Sequence, residues 1–207
     1  SFGITPAGVM RSSISIDYVL DLAEIPAFQE ITMFDVNRNG EPDTSEADSY
    51  HETKCASLQR NLSLLLNNRA LNLTLESSSV EFPAGAGGLP TLRLTCEYNA
   101  ITSISTPLKS LSFVDNSYRE RTGWREIVVT ANGVALDGNF SSRSISNRLT
   151  SYPKDLLASP LDEREISLGI GSPSAAIQKN PVNSTQQLPS LAGNRSDRFT
   201  ELIAIEK

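Results

Sequence analysis

A run of twelve residues near the start of the chain concentrates oxygen donors at regular intervals. It reads Asp35-Val36-Asn37-Arg38-Asn39-Gly40-Glu41-Pro42-Asp43-Thr44-Ser45-Glu46. Asp35, Asn37, Asn39, Asp43 and Glu46 bring side-chain oxygens, and Glu41 brings its backbone carbonyl. A hard divalent cation takes about six to eight oxygens, and a loop with donors at its positions 1, 3, 5, 7, 9 and 12 can wrap one ion. An all-oxygen donor set points to calcium, with Asp43 acting through a water. Gly40 stands where such a loop turns sharply, a place that suits a residue without Cβ.

Such a loop works only if helices hold its two ends. An apolar-rich segment, Ile25 to Phe34, precedes it. Behind it, Asp43-x-x-Glu46 has the form of a helix N-cap with its capping-box partner. Ala47, Tyr50, Lys54, Cys55, Leu58, Leu62 and Leu65 then recur at helical spacing, all apolar except Lys54. This predicts an amphipathic helix to about Leu66, stopped by Asn67-Asn68. The whole satisfies the EF-hand pattern D-x-[DN]-x-[DN]-G-x5-E. Pro42 lacks the N–H that would bond a partner loop, and no second match occurs in the sequence. The reading is a solitary, structural hand. Two of its ligands are neutral asparagines, which implies modest affinity and calcium-rich surroundings.

The chain has 207 residues, enough for one ordinary domain, with 39% hydrophobic and 6% aromatic residues. Its formal charge of −6 argues against nucleic acid as a partner. No stretch of the sequence is long and apolar enough to span a membrane. The start, Ser1-Phe2-Gly3, has the look of a mature form or an excised piece. The two cysteines are Cys55, on the helix, and Cys96, in an alternating segment. In a polar chain with sequons at Asn61, Asn72, Asn139, Asn183 and Asn194, they read as one disulfide in an oxidising compartment; two buried thiols are the alternative.

Around the hand the pattern is that of strands. Ile14, Ile16, Tyr18 and Leu20 alternate, and short alternating runs follow at 71–75, 79–82, 92–98 and 108–114. Ile127 to Thr130 and Val134 to Leu136 flank Asn132-Gly133, a hairpin signal. Gly85 to Pro90 reads as a turn. The expected fold is mainly β with an α insertion (α+β): a β-sandwich over 1–171 with the helix–loop–helix inserted at 24–67. Residues 172–198, rich in Ser, Pro, Asn and Gln, read as a linker. Residues 199–207 read as the start of a helix approaching a membrane region; a frayed C-terminus is the equal alternative.

Several segments, in order, resemble the extracytoplasmic N-terminal region of bacterial nickel/cobalt transporter-like membrane proteins. Tyr18-Val19-Leu20-Asp21-Leu22-Ala23-Glu24-Ile25-Pro26-Ala27-Phe28-Gln29-Glu30 resembles its strand-to-helix segment. Leu89-Pro90-Thr91-Leu92-Arg93-Leu94-Thr95-Cys96 is similar to its second cysteine strand. The stretch from Arg148 to Leu161 resembles its downstream part, and Asp197 to Ile203 the segment before the first membrane helix. Together these cover most of 14–161 and the C-terminal end. The resemblance implies an extracytoplasmic domain, tethered through a linker to a transporter core in the same polypeptide. Members often begin with a histidine-containing segment, whereas this chain begins Ser1-Phe2-Gly3-Ile4-Thr5.

Other chemistries find little support. His51 is the one histidine, too few imidazoles for a nickel or zinc site. No G-x-S-x-G elbow accompanies it, and Gly85-Ala86-Gly87-Gly88 lacks the Lys-Ser/Thr of a phosphate loop. Asp162-Glu163 reads as a solvated pair, and Trp124 as an anchor of the sandwich core. No catalytic role is expected. The alternatives are a calcium-dependent cell-surface interaction module and a hydrolase with a structural calcium. A pocket setting His51 against a serine and a carboxylate would favour the hydrolase.

Overall fold

Period-two alternation of apolar residues governs the strands that build the core of this chain. A computed structural model describes residues 11–103, 109–151, 160–171 and 197–206. The structure is mainly β, with two sheets and two helices. Its elements, in order, are β1 (Arg11–Leu22), α1 (Glu24–Phe34), α2 (Thr44–Gln59), β2 (Leu62–Leu66), β3 (Arg69–Ala70), β4 (Thr74–Glu81), β5 (Leu92–Ser103), β6 (Lys109–Asp115), β7 (Gly123–Ala131), β8 (Ala135–Asp137), β9 (Glu165–Gly171) and β10 (Asp197–Glu206). One sheet has the order β4-β5-β1-β10-β7, the other β3-β2-β6-β9-β8. All pairs are antiparallel except β10 with β7.

β1 and β5 form the spine of the first sheet. Their register sets Ile14 against Ala100, Ile16 against Tyr98, Tyr18 against Cys96 and Leu20 against Leu94. Directly opposed residues share a face, and all eight are at most 1% exposed. Leu62, Leu64 and Leu66 of β2, Leu111 and Phe113 of β6, and Leu168 and Ile170 of β9 join them in one apolar cluster. Alternate residues of both sheets thus share a core.

Four local expectations change. The second helix stops at Gln59, and Leu62–Leu66 is strand β2 with alternating burial. Leu62, Leu64 and Leu66 fit period two as well as Leu58, Leu62 and Leu65 fit the helix, and pairing with β6 decides between them. Asn67 and Asn68 then form a tight left-handed turn (φ 50° and 61°) into β3 rather than a helix stop. The runs expected at 71–75 and 79–82 resolve into β4, one strand over Thr74–Glu81. The Asn132-Gly133 signal makes no hairpin, because β7 and β8 belong to different sheets. Only Gly133 there has positive φ (69°), whereas a type I′ turn needs both residues so.

The C-terminal segment is the largest change. Residues expected to begin a helix form β10, between β1 and β7. Ile16 faces Ile203 and Ile14 faces Ile205 in the register with β1. A short apolar run is ambiguous by periodicity, and backbone pairing on both sides settles it as strand. Of the expected linker, 172–196 lies outside the described residues, as does 152–159.

Trp124 is buried, but away from the shared core. With Val19, Leu149 and part-buried Leu161 it forms a second cluster. Val19 lies between Tyr18 and Leu20, so this cluster sits on the other face of β1. Asp162-Glu163 is not simply solvated either. Asp162 pairs with the buried Arg125 at 2.8 Å, and Glu163 accepts from the Ile127 N–H at 2.8 Å. Burial acts to raise the Asp162 pKa, but hydrogen bonds from Arg125 and Arg164 outweigh it, and the net shift is downward.

Cys55 and Cys96 are joined in a disulfide, with Cα atoms 5.7 Å apart and a sequence separation of 41. A loop of that size stabilises by about 4 kcal/mol in the chain-entropy model. Denatured, unreduced protein should therefore show no titratable thiol in a colorimetric thiol assay. Replacing both cysteines by alanine should lower the unfolding free energy by about 2–4 kcal/mol in urea titration.

Candidate calcium loop

The helices hand the loop over at two of its donors. Asp35 is the C-cap of α1, its N–H bonded to the Ile31 carbonyl at 2.9 Å. Asp43 is the N-cap of α2. The predicted capping box is present: the Asp43 carboxylate accepts the Glu46 N–H at 3.0 Å, and the Glu46 carboxylate accepts the Asp43 N–H at 3.2 Å. That Glu46 N–H, and then the Ser45 hydroxyl, hold the Asp43 carboxyl below its ordinary pKa of 3.8, so it is ionised near neutrality.

Between the caps the loop folds onto its own oxygens. The Asp35 carboxylate accepts from the N–H groups of Asn39 (3.2 Å) and Gly40 (2.8 Å). The Asn37 side-chain oxygen accepts from Asn39 N–H at 2.9 Å, and that of Asn39 accepts from Glu41 N–H at 2.8 Å. The Asn37 amide donates to Asp43 at 3.1 Å. Gly40 takes φ +82° with open space where a Cβ would stand, so backbone conformation, not crowding, selects glycine. Glu46, 8% exposed, reaches back to the N–H groups of Val36 (2.8 Å) and Asn37 (3.2 Å).

The donor set fits a hard cation. Asp35, Asp43 and Glu46 supply three carboxylates, Asn37 and Asn39 two amide oxygens, and Glu41 a carbonyl. Among the described residues no three His, Cys, Asp or Glu side chains gather as a ready cage. The loop carboxylates are directed instead at backbone N–H groups. An ion would have to compete with those hydrogen bonds.

Beneath the loop lies a cluster that the sequence reading missed. Glu30 of α1, 7% exposed, pairs with Lys54 of α2 and accepts from the Tyr50 hydroxyl at 3.1 Å. The Lys54 ammonium lies 5.9 Å from the Tyr50 ring centre and 5.7 Å from that of Tyr118. Phe34 stacks on Tyr50 with ring centres 4.3 Å apart. The available signal was Lys54 itself, the one charge on an otherwise apolar helix face. Burial works to lower the Lys54 pKa, but Tyr118 and then Glu30 outweigh it, and the net shift is upward. Burial, followed by the Glu30 charge, drives the Tyr50 hydroxyl pKa upward. With its folded pKa above 10.5, Lys54 stays charged across the neutral range, and its stabilisation fades only in strong alkali.

His51 lies midway along α2, its side chain 16% exposed. Its Nδ1 lies 2.8 Å from the Ser78 hydroxyl of β4, and its Nε2 lies 3.5 Å from Asp48 one helical turn away. This sets the histidine between a serine and a carboxylate. The Asp48 side chain is 68% exposed, however, and the serine is on Nδ1. The cleft lined by the helix–loop–helix contains neither His51 nor Ser78.

No family model, curated protein or solved structure matches the chain. No helix among the described residues is long and apolar enough to cross a membrane.

Truncating Lys54 to alanine would leave the Glu30 carboxylate buried and unpaired. That variant should lose about 3 kcal/mol of stability. The double variant Glu30→Gln with Lys54→Met should recover much of the loss; urea denaturation of both chains checks this.

Proposed function

We propose that this chain is a non-catalytic, calcium-binding accessory domain of a nickel/cobalt-type membrane transporter, working outside the cytoplasm. In this reading the fold is a β-sandwich carrying a solitary EF-hand-like insertion, a description supported by the core common to both sheets. The observation that carries the metal reading is Glu46. One nearly buried carboxylate caps α2 and closes the loop onto the start of its own turn. Calcium would offset two of the three carboxylate charges and cross-link the two helix ends through Asp35, Asn37, Asn39, Glu41, Asp43 and Glu46.

The disulfide supports an oxidising compartment. The transporter reading rests on the order of the resembling segments. β10 modifies it: a membrane core following Lys207 would be joined to a sheet strand, not to the end of the linker.

Millimolar calcium should raise the melting temperature, and Asp35→Ala combined with Glu46→Ala should abolish the rise. An unmoved wild-type melting curve by calorimetry, with no heat of binding, would sink the metal reading. In the complete polypeptide, the same double substitution should reduce nickel or cobalt uptake by cells without lowering its amount in the membrane.

The contact of His51 with Ser78 and Asp48 is the observation favouring a hydrolase. We read it as a bond docking α2 on β4, since an exposed aspartate holds imidazole orientation poorly. A fluorophosphonate probe should therefore leave Ser78 unlabelled by mass spectrometry; labelling lost in His51→Ala would reinstate the hydrolase.

A further inference from the structure

The charge of this chain is not spread evenly. Residues 24–59 carry eight Asp/Glu and two Lys/Arg, while the remaining residues carry sixteen of each. The entire net charge of −6 therefore resides in the helix–loop–helix. Of its two basic residues, Lys54 is already paired with Glu30.

The same unit leaves apolar groups in water. Ile25 is 69% exposed, Phe28 50%, Met33 74% and Val36 85%. At about 100° per residue, Ile25, Phe28 and Met33 fall on one side of α1, with Val36 just past its end. Ala27, Glu30 and Ile31 are the buried positions of that helix. Met33 and Val36 also border a cleft of about 800 Å³ between α1, the loop and α2, with Phe34 and Tyr50 in its lining. Four exposed large apolar residues within twelve positions, next to a cleft, mark an interaction surface.

We propose that this face binds a basic amphipathic helix of a partner protein. Apolar side chains of such a helix would cover Phe28, Met33 and Val36, and its Lys/Arg would meet the acidic residues around them. Charge decides against other occupants. An anionic membrane surface repels a unit of this sign, and a second copy would bring a second acidic unit against the first. The exposed apolar residues are not metal ligands, but Asp35, Asp43 and Glu46 belong both to the acidic unit and to the candidate loop, so bound calcium should weaken the charge contribution and leave the apolar contacts in place.

The test uses the full chain and a fluorescent Leu/Lys peptide patterned as an amphipathic helix, with a scrambled peptide of equal charge as control. Anisotropy should show micromolar binding of the helical peptide, at least about tenfold tighter than the scrambled one. Added salt should weaken it. Phe28→Ser and Met33→Ser, at exposed positions that leave the core intact, should each cost about tenfold in affinity. Titrations in EDTA and in calcium keep the outcome separate from that of the metal site. Equal binding of the scrambled peptide, or no effect of either substitution, overturns the proposal. So does binding of phosphatidylglycerol vesicles, or dimerisation in light scattering that either substitution abolishes.

Discussion

Cys96 stands midway along the inward row of β5, and the bond from it to Cys55 fixes where the helical insertion lies. Without that bond the insertion would meet the sheets through non-covalent contacts alone, chiefly of α2 with β4 and β5. The Tyr98 hydroxyl strengthens the anchor by donating to the Cys55 carbonyl at 2.6 Å, in the same inward row. One covalent and one polar contact thus seat α2 on the face that also carries the core. The position of α2 then determines the rest: Asp43 and Glu46 at its start, Lys54 toward Glu30, and His51 against Ser78.

Two devices hold α1 to α2, and they differ in kind. The Glu30–Lys54 pair with Tyr50 is buried, needs no ligand, and works across the neutral pH range. The 35–46 loop is exposed along much of its length and rich in uncompensated carboxylate. Its hydrogen bonds already give it a folded shape, so an ion would reinforce an existing arrangement rather than create one. This fits a domain whose helices stay packed whether or not calcium is abundant. At the other end of α1, Glu24 accepts the Gly87 N–H, and a Cβ at Gly85 would lie 2.2 Å from that carboxylate. The turn before β5 is therefore glycine-rich so that α1 can approach it.

The sequence was legible where a local rule and a tertiary demand agreed. The capping box, the Gly40 turn, the alternation of β1 and the core role of Cys55 are of that kind. It misled where one pattern admitted two periods. Leu58, Leu62 and Leu65 mark a helix face, yet Leu62, Leu64 and Leu66 mark a strand face, and only β6 chooses between them. Asn132-Gly133 marked the break between two strands but not the sheets they belong to. The polar clamp of Glu30, Tyr50 and Lys54 left almost no trace, because its members are 20 and 24 positions apart and each looks ordinary alone. The candidate donors could be named from spacing; whether their oxygens converge on an ion is a matter of loop geometry that spacing does not carry.

β10 joins the beginning of the described chain to its end. β1 is flanked by β5 and by β10, so the first strand has one neighbour from mid-chain and one separated from it by most of the sequence. During synthesis, β1 and β7 must wait with open edges until residues 197–206 emerge. Pairings of such long range are slow to form, and unpaired edges invite association with other chains. The sheet is therefore completed last at an interior strand, and β10 acts as the closing strand of folding itself.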